Sequence, residues 1–73
     1  MNYQEIREAL DSAQDKKSKI AMFHYITLKY AHDFIHEDPK YFCNAVGMKE
    51  SYATEFRKMR ALHLLMKDNN FSL

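Results

Sequence analysis

FCNAVGMKESYATEF, residues 42–56, contains the chain's only glycine, Gly47, set between two stretches whose apolar residues recur at helical spacing. Glycine is favoured wherever the backbone must take positive φ, and in a helical protein the commonest such place lies just past a helix C-terminus. Gly47 therefore predicts one sharp corner between two helices. Upstream, HEDPKYF (36–42) marks where the first of them begins, with Asp38 as N-cap and Pro39 at the first helical position, where its missing N–H costs nothing. The spacing predicts a short helix over 39–46 and a longer one from 49 or 50 to 67. The longer helix turns Tyr52, Ala53, Phe56, Met59, His63 and Met66 inward.

Towards the N-terminus, Tyr3, Ile6, Leu10 and Ala13 place one amphipathic helix over about 3–13. SAQDKKSK (12–19) then loses the apolar period, and Asp15 or Ser18 can cap a second helix over about 18–36. Ile20, Phe23, Thr27, Tyr30, Ala31 and Phe34 form its core stripe, while Met22, Tyr25 and Ile26 point largely away, on a side shared with Lys29, His32 and His36. Such a wide apolar girdle suits a central helix covered on two sides, by its own domain or by another subunit. The tail DNNFSL (68–73) is expected to fray, with Phe71 free to dock.

One Gly and one Pro leave little punctuation for the short loops of a β-sandwich or barrel, so the expected class is all-α, a compact bundle of about four helices. Seventy-three residues and 47% hydrophobic content suit a single folded domain over 1–73, with a small core. Cys43 is the only cysteine, which excludes an intrachain disulfide and points to a reducing compartment. Charges interrupt every apolar run and MNYQEIREAL is amphipathic and acidic, so neither a membrane span nor a secretory segment is expected; a cytoplasmic protein fits. The net charge of +1 divides unevenly. Residues 1–38 carry five basic and seven acidic groups, net −2, and residues 39–73 carry six basic and three acidic, net +3. The positive charge accompanies the glycine corner.

Two helices joined by a short turn containing Gly, the second being the longer, form a helix-turn-helix arrangement. Phe42 and Val46 precede Gly47 on the core side, Met48 follows as an apolar plug, and Ala53 and Phe56 face back from the second helix. Cys43 supplies the small residue that a close crossing requires. Over residues 39–58 the chain thus resembles the helix-turn-helix DNA-binding superfamily. The resemblance implies a plain helical form, without a wing, since residues 68–73 are too few for a useful hairpin. It also implies that the second helix enters the major groove with its N-terminal residues at base edges while the first crosses the backbone.

Carried over by position, the implied DNA-binding residues are Lys40, Lys49, Ser51, Thr54, Glu55, Arg57 and Lys58. Ser51 and Thr54 suit bases or phosphates, Lys49 and Lys58 suit guanine or phosphate, Glu55 can accept from cytosine N4, and Arg57 and Lys40 suit backbone oxygens. Glu50 is read instead as complementing the helix N-terminal dipole, and Lys49 stands where the family's turn usually supplies Ser or Thr as N-cap. Exposed Met22, Tyr25, Leu62 and Leu65 are expected to form a partner interface, first of all in a homodimer. The rival expectation is a helical adaptor that uses the same apolar faces to hold another protein and meets no nucleic acid.

Other chemistry finds little support. His32 and His36 have the i, i+4 spacing of a metal pair, but no third ligand is predictably near, so solvated histidines are expected. Cys43 is read as packing rather than as a nucleophile, and His63 as an inward, hydrogen-bonded ring. One glycine cannot build a phosphate-binding Gly-rich loop, and no carboxylate pair has a spacing suited to acid–base work. The expectation is a non-enzymatic protein with no cofactor and no metal.

Overall fold

Of the four α-helices among the described residues, three begin on a side chain that caps them. A computed structural model describes residues 1–71. Helix α1 (Tyr3–Asp11) opens with a reciprocal capping box: Asn2 Oδ1 accepts from the Glu5 N–H at 2.9 Å and Glu5 Oε1 accepts from the Asn2 N–H at 3.2 Å. Helix α2 (Lys16–Lys29) starts on Asp15, whose carboxylate accepts from the Ser18 N–H at 2.7 Å. Of the two residues able to cap it, Asp15 is the acceptor and Ser18 supplies the amide. Helix α3 (Pro39–Ala45) starts as read, with Asp38 accepting from the Tyr41 N–H and Pro39 in the first turn. Helix α4 (Ala53–Asp68) has no side-chain cap; a 3₁₀ turn, Glu50–Tyr52, leads into it.

The second helix departs from its expected length. It stops at Lys29 instead of running to 36, and the chain continues through Tyr30 into a 3₁₀ turn, Ala31–Phe34. A 3₁₀ turn eclipses residues three apart, so Ala31 and Phe34 stay together on the buried side and the apolar pattern persists across the break. His32 and His36 consequently leave the helix that was expected to hold both. Ile26, expected to point away from the core, is buried at 2% exposure, because α1 and α4 cover α2 from more than one side.

Gly47 makes the expected corner, at φ +79°. Around it the Met48 N–H donates to the Cys43 carbonyl at 2.8 Å and the Gly47 N–H to the Asn44 carbonyl at 3.3 Å, the paired bonds of a Schellman motif. Both Cys43 and Met48 are buried, closing the motif's apolar contact. The end of α4 repeats the device with Asn70 in place of glycine, at φ 59°. Phe71 N–H donates to the Met66 carbonyl at 2.8 Å and Asn70 N–H to that of Lys67 at 3.3 Å, so the tail is closed rather than frayed as far as residue 71; the rest of that expectation, residues 72–73, lies outside the described residues. The Phe71 ring stays exposed and does not dock.

Phe42 is the hub of the core. Its ring lies 4.4 Å from Phe56, 5.0 Å from Phe34, 5.9 Å from Tyr3 and 6.1 Å from Phe23, centroid to centroid, which joins α1, α2, α3 and α4 through aromatic contacts. Ile6 and Leu10 close the cluster from α1, and Val46, Met48 and Ala53 from the corner. The described residues contain no strand.

Candidate nucleic-acid interface

Helix α4 is anchored at its first two turns and free on the other side. Ala53 and Phe56 are buried at 3% and 2% exposure, which fixes the rotation of the helix against α2 and α3. That rotation leaves Ser51, Thr54, Arg57 and Lys58 exposed, with Lys49 exposed at the turn before them. Lys49 occupies the N-cap position of the leading 3₁₀ turn with extended backbone and makes no side-chain cap. The free N–H groups and dipole of this end therefore remain available to an acceptor.

The two acidic residues of this region are each held by a neighbour. Glu50 accepts from the Asn44 side-chain amide at 3.1 Å, tying the start of the turn back to α3. Glu55 is half-buried: its Oε2 lies 3.3 Å from His24 Nε2 on α2, and its Oε1 3.8 Å from Lys58 Nζ. Glu55 is thus engaged from the core side and steadies the Lys58 ammonium; to read a base it must exchange these partners. Lys40 is exposed in the first turn of α3, at the other end of that helix from the glycine corner.

Family comparison gives the same segment a context. A family model for an HTH-like domain matches residues 2–69, nearly the whole described chain. The chain belongs to the HTH-like domain family. No curated protein and no solved structure gives a significant match. The helix-turn-helix corner of this HTH-like domain is α3, the Gly47 turn and α4, and α1 and α2 complete the bundle behind it.

Residues that sequence reading passed over do much of the positioning in this HTH-like domain. Arg60, one of the six basic residues of 39–73, donates its Nη1 to the Glu37 carbonyl at 2.8 Å and the Phe34 carbonyl at 3.3 Å, with the guanidinium 4.9 Å from the Phe56 ring centre. It ties α4 to the connection between α2 and α3. Tyr3 donates its hydroxyl to Glu37 from the other side, and burial, then this bond, push the phenol well above its usual range. No helical period signals a long-range bond of this kind.

The remaining candidates fall as follows. Cys43 is fully buried, and desolvation, with the nearby Glu50 charge, pushes its thiol up, which disfavours a thiolate at neutral pH. His63 and Met66 are half-buried, less covered than an inner face implies. Among the described residues no group of three or more His, Cys, Asp or Glu is placed to hold a metal ion. No helix among them is long and apolar enough to cross a membrane. Met22, Tyr25, Leu62 and Leu65 are exposed as expected, and Leu64 joins them.

Proposed function

We propose that this HTH-like domain binds duplex DNA by inserting the start of α4 into the major groove, as a cytoplasmic transcriptional regulator or accessory factor that acts as a homodimer. The observation that carries the reading is the exposed set formed by Lys49 and Ser51, in the turn leading into α4, and Thr54, Arg57 and Lys58 on α4, whose opposite side is locked by Ala53 and Phe56. A rigid helix with hydroxyls and cations at its N-terminal end has the chemistry for base edges and phosphates together. Family membership supports the same reading.

The test is a fluorescence-anisotropy titration with random-sequence duplex at two salt concentrations. Binding in the range of about 10⁻⁴ to 10⁻⁶ M that weakens steeply with salt is expected. Arg57→Ala with Lys58→Ala should reduce both affinity and salt slope while the helical circular-dichroism signal is kept. Unchanged binding in that variant removes α4 from the interface.

A second reading rests on Leu62, Leu64 and Leu65, which expose 37–57% of their surface along the far half of α4. In an adaptor these leucines hold another protein, and the corner serves only as architecture. Wild-type protein that ignores duplex even at low salt favours this second reading.

A further inference from the structure

A second basic cluster lies beside the glycine corner, assembled from segments that the charge count of the N-terminal half conceals. Between the start of α2 and the corner opens a cleft of about 290 Å³, lined by Lys16, Lys19, Gly47, Lys49 and Tyr52 among others. Arg7, on α1, does not line the cleft but lies against Gly47, which does: a Cβ built there would sit 3.3 Å from Arg7 Cζ. Two helices and the turn thus bring four cations around Gly47, although α1 and the loop after it are acidic overall.

These cations are poorly neutralised. Among the described residues only Lys19 has an acidic partner, Asp11, at 4.0 Å and well exposed; the ion pairs include neither Arg7, Lys16 nor Lys49. Glu50, the nearest acid in sequence to Lys49, is turned to Asn44 on α3. Like charges gathered round a concave surface repel unless an anion enters, and their summed potential attracts one. Tyr52, half-buried with its ring 6.0 Å from that of Phe23, forms a fixed wall.

We propose that this cleft holds a phosphodiester of the DNA backbone at the edge of the groove that α4 enters, with Arg7, Lys16 and Lys19 as phosphate contacts added to Lys49. This rests on the duplex-binding reading above and extends it. Lys49 belongs both to the cleft and to the exposed set at the start of α4, so a duplex seated on that set carries a backbone strand past the cleft mouth. The contact is to phosphate alone; it fixes orientation and carries no sequence preference.

The test compares salt slopes on random-sequence duplex for wild type, Lys16→Gln/Lys19→Gln, and Lys29→Gln/Lys67→Gln. The last pair removes the same charge from the end of α2 and the last turn of α4, away from the cleft. At about 0.9 in slope per phosphate neutralised, loss of this one phosphate should flatten the slope by about 0.9 in the cleft pair, and adding Arg7→Gln should flatten it no further. Affinity at 50 mM salt should drop about tenfold or more for the cleft pair, against little change for the distant pair. Exposed Lys→Gln changes leave folding intact, checked by thermal melts. If the cleft pair matches the distant pair while Arg57→Ala/Lys58→Ala still weakens binding, the cleft is not a phosphate site and the α4 reading stands. If wild type shows no salt-dependent binding, both fall together.

Discussion

Gly47 was read from the sequence because it is unique, and its conformation follows from backbone sterics rather than from crowding. At φ +79° an L-residue suffers a Cβ–carbonyl clash worth about 1–2 kcal/mol, partly offset by the lower entropy of the unfolded chain. Gly47→Ala should therefore lower stability by about 1 kcal/mol, seen as a lower urea midpoint at unchanged slope. The Arg7 guanidinium near the added methyl is the end of a flexible side chain and can swing away. Arg7→Ala should accordingly fail to rescue Gly47→Ala; full rescue would make crowding the cause. Tyr3 gives a second prediction with a sign. Its folded-state phenol is raised above the ordinary value of 10, so the folded protein keeps the proton longer than the unfolded chain. The stabilisation is complete below about pH 10 and is lost as pH rises from there through the folded value. Wild-type stability should fall more steeply than that of Tyr3→Phe above that pH in urea titrations, whereas parallel curves would remove Tyr3 as the cause. Tyr3 was legible as a core-side residue from its period, but its bond to Glu37, thirty-four positions away, was not.

Among the elements, those with terminal chemistry were the ones the sequence placed well. Asp38-Pro39 and Gly47 bound α3 by capping and positive φ, local effects that residue identity decides. The end of α2 has no such mark: Tyr30 and Ala31 are neither Gly nor Pro, and the 3₁₀ turn preserves the apolar side that signalled helix. What the break needs comes from outside the segment. Arg60, on α4, donates to the Phe34 and Glu37 carbonyls near that break. Hydrogen bonds from a charged donor contribute about 1.5–3 kcal/mol, so Arg60→Met should cost about 2 kcal/mol and lower the melting temperature by roughly 8–16 °C in a domain of this size. Arg60→Lys should recover only part of this, because one ammonium does not reproduce a planar fork that also lies on Phe56. A melt unchanged in Arg60→Met would show that the connection holds its shape without α4. The candidate site was legible to a similar degree: spacing put Ser51, Thr54, Arg57 and Lys58 on the outer face, but the His24–Glu55 contact and the Arg7 contribution depend on how α1 and α2 pack.

At the scale of the whole molecule, the unequal burial of α4 is the feature that calls for a partner. Its buried residues, Ala53 and Phe56, lie in the first two turns, whereas Leu62, Leu64 and Leu65 stay exposed beyond them. With 16 residues α4 is about 24 Å long, and its far half carries the exposed leucines. Covering the 37–57% of each leucine still exposed contributes roughly 1 kcal/mol apiece, and in the proposed homodimer a two-fold partner would double the phosphates met by one complex. Leu65→Glu separates this role from folding. Because Leu65 is 57% exposed in the single chain, the monomer's melt should move little, about 0.5 kcal/mol or less. Sedimentation velocity should instead change from dimer to monomer, and the salt slope on duplex should fall by about half, since each complex then releases the counterions of one subunit. The slope is the more telling readout, because a dimer that forms in solution but binds DNA through one subunit would leave it unchanged. Wild type that sediments as a monomer at tens of micromolar, with a slope that Leu65→Glu does not alter, would assign the leucines to a different protein and return α4's far half to the adaptor reading.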